Sequence, residues 1–314
     1  MPLPRVAIPT GDPAGIGPEI AFKAAMDPAL RAICQPILFT DRAVLRSHGG
    51  DPSRVELVEV PFEGTLQIGK IHADHGRAIV ACAEAAIRAT LAGEFDAVVA
   101  APHTEAAIHA AGIEFDGYPS FVARVCGLPP EDGILMLCFQ HQGREVRIAH
   151  VTLHISVRRA IELMSLERIL RTIRAVHEVL GSPRIAVSGV NPHAGEAGAF
   201  GREEIEVIAP ALEQARREGI DVEGPIGADT LIQRPGFDAY VVMLHDQGHV
   251  AAKLLAPQRV AGLTIGTPVL FTSVVHGSAL DIAGQGRADH GAIVEAVTRL
   301  VGRRRRAAAI GKIP

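Results

Sequence analysis

The chain has 314 residues, with 31 Lys and Arg against 35 Asp and Glu for a net charge of −4. That balance argues against nucleic acid or a membrane surface as a partner, and no run reaches the 18 or so apolar residues of a membrane span. Single hydrophobic cores stop growing near roughly 250–300 residues, so the length predicts two lobes.

In chain order, residues 5–8 read as a first strand, followed by a glycine-rich turn and a helix from about Pro18, whose ring suits the first helical turn. Residues 36–40 form the next strand, 76–92 an alanine-rich helix and 95–99 another strand. Apolar runs at 146–153, 184–190 and 240–244 read as buried strands, separated by helices near 156–180 and 201–218. Runs at 262–265 and 269–271 lead into a last helix near 290–302. This alternation predicts an α/β fold, a parallel sheet with crossover helices. Because the end of the chain again reads strand, loop, helix, it is expected to pack back onto the first lobe. The predicted division is 1–125 plus 258–314, with 126–257 as the second lobe.

Cys34, Cys82, Cys126 and Cys138 are far apart, mostly in apolar runs and without a C-x-x-C pair, so they read as reduced core residues. With no leader-like N terminus, they predict a cytoplasmic protein. The basic run 303–306 reads as a solvated tail.

Three histidines, His154, His193 and His245, each lie just beyond one of the middle strands. In an open α/β sheet, groups outside the carboxyl ends of strands converge on one crevice. Three imidazoles that leave a coordination position open are a catalytic zinc arrangement, whereas structural sites are closed by four ligands. Asp246 and Glu196 are candidate acceptors behind such ligands or proton-transfer groups. A histidine alone is more often an ordinary hydrogen-bonded side chain, and His150, His249 and His103 compete for the same role. The turn at 10–19 fails the dinucleotide fingerprint, since Gly15 and Gly17 are in place but the third position is Ile20. It reads as a tight strand-to-helix turn that can still line the crevice. The loop from His276 to Gly286 suits a nucleotide, with Asp281 accepting ribose hydroxyls, and equally suits a cap on the final helix.

At these residues (11–19, 191–196, 227–230, 245–248 and the loop from 276) nearly the whole chain resembles the 4-hydroxythreonine-4-phosphate dehydrogenase, or PdxA-like, family of vitamin B6 biosynthesis. Those are metal-dependent NAD enzymes similar to the isocitrate and isopropylmalate dehydrogenases. The resemblance implies a two-lobed α/β/α fold and a homodimer with a shared active site. It implies a divalent metal, typically zinc, on His154, His193 and His245 drawn from both subunits, and NAD adenosine against His276, Gly277, Ser278, Ala279 and Asp281.

The departures concern the substrate. Tyr118-Pro119 stands where the phosphate-substrate enzymes have histidine-threonine, and 101–105 ends in Glu105 in place of lysine. Lys253 remains, while Gly262 and Phe271 replace an asparagine and an arginine. A phosphate dianion calls for arginine and several polar donors. Segments 115–120, 150–154, 243–249 and 253–257 are similar to the branch that oxidises terephthalate cis-dihydrodiol. That likeness implies NAD+-linked oxidation of a secondary alcohol with decarboxylation to a catechol carboxylate such as protocatechuate. Tyr118, Pro119, Gly262 and Phe271 would surround the substrate, Lys253 would hold a carboxylate or assist proton transfer, and Asp229 and Asp246 are candidate bases. The rivals are a 4-hydroxythreonine-4-phosphate or related phospho-sugar-acid dehydrogenase, a zinc hydrolase, and a non-catalytic metal-binding protein.

Overall fold

Short apolar runs, too brief for helices, form the strands of two units, Met1–Pro130 with Thr267–Pro314 and Glu131–Gly266. The computed structural model describes residues 2–257, 260–274 and 276–310, with backbone alone for 301–310. The basic run at 303–306 therefore lies outside the described side chains, and residue 258, an expected lobe boundary, lies outside the described residues.

In the first unit, β1 (Arg5–Pro9), β2 (Gln35–Thr40), β3 (Glu56–Glu59), β4 (Ala97–Ala100) and β11 (Phe271–Val274) pair in parallel, in the order β3-β2-β1-β4-β11. Period-two alternation along β1 sends Val6 and Ile8 into one core with Ile20, Leu38, Ile293 and Val297, and Ala7 into another with Ile37, Ile79, Ile87 and Phe271. Helices Gly17–Met26 and Gly291–Ile310 thus cover one face of the sheet, and Ala73–Leu91 covers the other. Each fully buried Ile or Leu in these layers contributes about 1.5–3 kcal/mol relative to exposure.

In the second unit, β5 (Ile134–His141), β6 (Arg144–His150), β7 (Ile185–Ser188), β8 (Val222–Ile226), β9 (Ala239–Val242) and β10 (Ala261–Ile265) run in the order β10-β5-β6-β9-β7-β8. The pairs β6–β9, β9–β7 and β7–β8 are parallel, whereas β10–β5 and β5–β6 are antiparallel. The sheet is mixed where uniformly parallel strands were expected. Gln142 and Gly143 both have positive φ (49° and 76°), the geometry that lets a two-residue turn join β5 to β6.

Two expected helices also differ. The 156–180 segment forms Val157–Leu163 and Leu166–Leu180, because Met164 is extended and Ser165 caps the second helix through Arg168 N. The 201–218 segment opens with a π-helical turn, Glu204–Ile208, before helix Ala209–Arg217. No helix among the described residues is long and apolar enough to cross a membrane.

Candidate functional site

The parallel strands β6, β9 and β7 deliver their carboxyl ends into segments carrying His154, His245 and His193. His245 opens helix His245–Leu255, and Gln247 secures that opening. The Gln247 amide oxygen accepts from Met243 N (2.9 Å) and Leu244 N (3.0 Å), while its NH2 donates to Gly189 O (2.9 Å), joining the ends of β9 and β7. His245 Nδ1 lies 2.6 Å from Asp246 Oδ1. A carboxylate there accepts a hydrogen bond from Nδ1–H and so leaves the Nε2 lone pair for a ligand.

The His154 and His245 ring centres are 5.6 Å apart. Zn–N distances of about 2.0–2.1 Å, plus the radius of each ring, put the centres of two imidazoles on one ion roughly 5 Å apart, so this pair suits a shared cation. His249 stacks on His245 at 3.8 Å and 7°, and His150 lies 4.9 Å beyond it. Burial, followed by the nearness of His245, pulls the His249 pKa down to about 4, and burial takes His150 to about 3. Both rings are neutral at physiological pH. His150 packs so tightly on the helix that a Cβ at Gly248 would fall 2.2 Å from its Nε2. Only glycine leaves room for it there.

His193 sits apart from that stack. Its side chain is 66% exposed, with Nδ1 3.5 Å from Glu196 Oε2 and its ring 6.2 Å from Phe200. Asp229 is exposed on the segment beside it, since a Cβ at Gly227 would meet both Asp229 Oδ1 (2.7 Å) and His193 Cα (3.7 Å). Lys253 is exposed on the helix that His245 begins, at i+8, and so shares a face with His245 and His249. Asp246 is exposed and Gly262 is buried within β10. Among the described residues, no three His, Cys, Asp or Glu side chains gather within the chain to hold an ion.

The loop bearing His193 has an unusual backbone. His193, Ala194, Gly195, Glu196 and Ala197 all have positive φ, at 51°, 51°, 78°, 42° and 55°. A left-handed non-glycine residue costs about 1–2 kcal/mol and normally occurs singly. Here four occur in a run of five. The buried Glu204 carboxylate braces the loop, accepting from Val190 N (2.8 Å), Asn191 N (2.7 Å) and Asn191 Nδ2 (2.9 Å). Burial raises the Glu204 pKa, and its bonds to Asn191 and Val190 outweigh that and hold it below the ordinary value.

In the first unit, the turns after β1, β4 and β11 meet. Asp12 is buried, with Oδ1 accepting from Ala14 N (2.8 Å) and Oδ2 from the Thr104 hydroxyl. Since the Thr104 proton goes to Asp12, the 2.8 Å contact between Thr104 Oγ1 and Ser278 Oγ is donated by Ser278. Ile16 N donates to Ser278 O (2.9 Å), and a Cβ at Gly15 would strike Ser278 Cβ at 2.6 Å. The turn at 10–19 is thus structural and packs directly against the proposed nucleotide loop. His276, Gly277 and Asp281 are exposed, Ser278 is buried, and Ala279 has a left-handed φ of 42°. Glu19 accepts from Gly286 N (3.2 Å) and Ala288 N (2.8 Å), and Lys23 donates to the carbonyls of the same two residues, pinning the end of that loop.

Tyr118 and Phe271 are buried together with ring centres 4.9 Å apart, His103 and Phe115 pack on Tyr118, and Pro119 is buried beside it. Burial pushes the Tyr118 phenol above its ordinary pKa. Sequence reasoning missed Glu204, Gln247 and the Glu19–Lys23 pair as organising residues. For Gln247 the signal was available, because a Gln at the third position of a helix is a capping residue.

A family model described as "Pyridoxal phosphate biosynthetic protein PdxA" matches residues 20–300. A 1,2-dihydroxy-3,5-cyclohexadiene-1,4-dicarboxylate dehydrogenase of Comamonas sp is 42% identical over 317 residues, covering 94% of this chain and 96% of that protein. The crystal structure of a terephthalate 1,2-cis-dihydrodiol dehydrogenase from Burkholderia xenovorans LB400 is 40% identical, with a TM-score of 0.70 over 95% of this chain and 98% of that one. A 4-hydroxythreonine-4-phosphate dehydrogenase from Klebsiella pneumoniae superposes with a TM-score of 0.81 at 30% identity, covering 96% and 98%. An isocitrate dehydrogenase from Methylococcus capsulatus, 17% identical with a TM-score of 0.53, shares the fold.

Proposed function

Because the chain belongs to the PdxA family of dehydrogenases, we propose that it is an NAD+- and divalent-metal-dependent enzyme that oxidises and decarboxylates a terephthalate-type cis-1,2-dihydrodiol to a catechol carboxylate such as protocatechuate. The observation that carries the substrate is position 271. A phenylalanine is buried there against Tyr118, so that strand offers no guanidinium fork for a phosphate dianion. The relatives that act on, or are named for, such a dihydrodiol support the same choice.

His154, His193 and His245 would hold the cation. When bound, a divalent cation lowers the pKa of a chelated hydroxyl and polarises the ketone formed from it. Asp246 keeps His245 in the tautomer that frees Nε2. Lys253 pairs with a substrate carboxylate, and Asp229, exposed beside His193, takes the hydroxyl proton. When bound, NAD+ would supply the acceptor for the hydride of the secondary carbon. The new ketone lies β to a ring carboxylate, whose C–C bond breaks to release CO2, and the ring gains aromaticity. On the cofactor side, exposed Asp281 would accept from the adenosine ribose, and His276, Gly277, Ser278 and Ala279 would shape the loop around it.

A homodimer with a shared site accounts for the exposed apolar side chains near these histidines. Ile155 and Val157 (66% exposed) follow His154, Phe200 (54%) packs on His193, and Val250 and Leu254 (78%) lie on the His245 helix. A second copy would bury them while supplying the remaining ligand.

The test is direct: purified protein with NAD+ and either the cis-dihydrodiol or 4-hydroxythreonine 4-phosphate, following NADH. Faster turnover of the phosphate ester would replace this reading with the second member of the family. Loss of both bound metal and activity in His193→Ala and His245→Ala is expected, and retention of both would remove the proposed metal site.

A further inference from the structure

We propose that Glu204, which touches neither substrate nor cation, is a positioning residue that holds the left-handed turn 193–197 and thereby sets the direction in which His193 presents its imidazole. The inference rests on the metal reading above and adds a residue to it.

A run of five left-handed residues, four of them not glycine, does not persist on local preference. Something outside the turn must determine it. Within the turn, the backbone bonds are Ala194 N to Asn191 O, Ala199 N to Glu196 O and Phe200 N to Gly195 O, the pattern of a tight coil. These bonds hold the coil closed but do not select its hand. The selection comes from contacts before the turn and within it. Before the turn, Glu204 fixes Val190 and Asn191 through three hydrogen bonds to one carboxylate. Within it, the backbone of Gly195 lies so close that a Cβ would stand 2.7 Å from Glu204 Oε2, and one on Gly189 would stand 2.9 Å from Oε1. Glu203 adds a bond to Asn191 Nδ2 (2.7 Å). The π-helical turn at Glu204–Ile208 directs this carboxylate inward, where it is 2% exposed. A right-handed path would swing His193 away from the 227–230 segment, whose Gly227 now lies against the His193 backbone.

Zn2+ titration calorimetry on the metal-free protein, with unfolding temperature in parallel, tests this in five chains: the native sequence, His193→Ala, Glu204→Gln, Ala197→Gly and the double variant of the last two. Supporting groups behind metal ligands typically contribute 10–100-fold to metal affinity. Glu204→Gln is expected to weaken Zn2+ binding about tenfold or more. Ala197→Gly relieves the left-handed strain at an exposed position without deleting a contact. It is expected to keep native affinity while the unfolding temperature holds or rises, and to restore part of the binding lost in Glu204→Gln, which a merely structural role would not produce. Native affinity in Glu204→Gln, or no restoration of binding in the double variant, with binding lost in His193→Ala, overturns the inference and leaves the metal reading standing. Absence of Zn2+ binding by the native sequence overturns both. If Glu204→Gln does not fold, Glu204→Asp, which keeps the charge but shortens the reach to Val190 and Asn191, decides: it is expected to weaken Zn2+ binding, and native affinity there overturns the inference.

Discussion

Replacing Gly248 by alanine perturbs the histidine stack without touching a proposed ligand. In an open helix the change would stabilise by about 1 kcal/mol. Here the new Cβ would stand 2.2 Å from His150 Nε2, 2.8 Å from its Cε1 and 3.0 Å from Ile148 Cγ2, against 3.4 Å for ordinary contact. Either the helix retreats by about 1 Å or His150 leaves its pocket and gives up the bond between Nδ1 and Leu135 O (3.2 Å). Overpacking of about 1–3 kcal/mol, with about 1 kcal/mol for the hydrogen bond, outweighs the helix gain and predicts a net loss of roughly 1–3 kcal/mol. A retreating helix also carries His245 away from His154, so Zn2+ affinity falls with stability. Urea midpoints and zinc calorimetry on Gly248→Ala, alone and with His150→Ala, provide the assay. The second change removes the obstruction, and in that background Gly248→Ala should be neutral or stabilising. A single variant as stable as the native protein would refute the packing argument.

Other outcomes follow from the same structure. His150, neutral in the fold with its pKa lowered from 6.5 to about 3, contributes stability in full above pH 6.5. As pH falls from there towards 3, only the unfolded chain takes up the proton, and about 1.4 kcal/mol is lost per unit. The difference in urea stability between pH 7 and 5 should therefore shrink by about 2 kcal/mol in His150→Gln, and an unchanged slope would contradict the buried neutral imidazole. Leu254→Asp, at a 78% exposed position, should leave protomer stability within about 0.5 kcal/mol yet shift light scattering from dimer to monomer. A dimer that survives would move the interface elsewhere. Glu19→Gln removes the charge from the pair that pins 286–288 and should raise KM for NAD+ roughly tenfold, about 1.4 kcal/mol, with little change in kcat. Equal KM values would make the pair irrelevant to the cofactor loop.

The parallel strands were legible because β2, β4, β7 and β9 are near-continuous apolar runs between turn residues, as strands covered on both faces must be. The antiparallel β5–β6 pair was not, since residues 134–139 form a similar apolar run and only the Gln142–Gly143 turn reveals the reversal. Helix 156–180 read as continuous because its apolar spacing hides a Ser cap at 165. At the site, the strand ends lead to His154 and His245, whose ring centres lie 5.6 Å apart, and His249 stacks on His245. The left-handed turn had no local signal, since alanine and glutamate favour right-handed helix. Its brace was equally silent, because Glu204 lies 13 and 14 residues from the amides it binds. Tyr118 and Phe271, expected around the substrate, are buried against one another in the first unit.

The central claim is a metal-dependent oxidation of a dihydrodiol coupled to loss of CO2. The most direct measurement incubates the zinc-loaded protein with NAD+ and a terephthalate-type cis-dihydrodiol, and counts NADH and CO2 together. The account predicts one CO2 for each NADH, abolished by chelation and by His245→Ala. NADH formation that persists after chelation, or that proceeds without CO2, would contradict it.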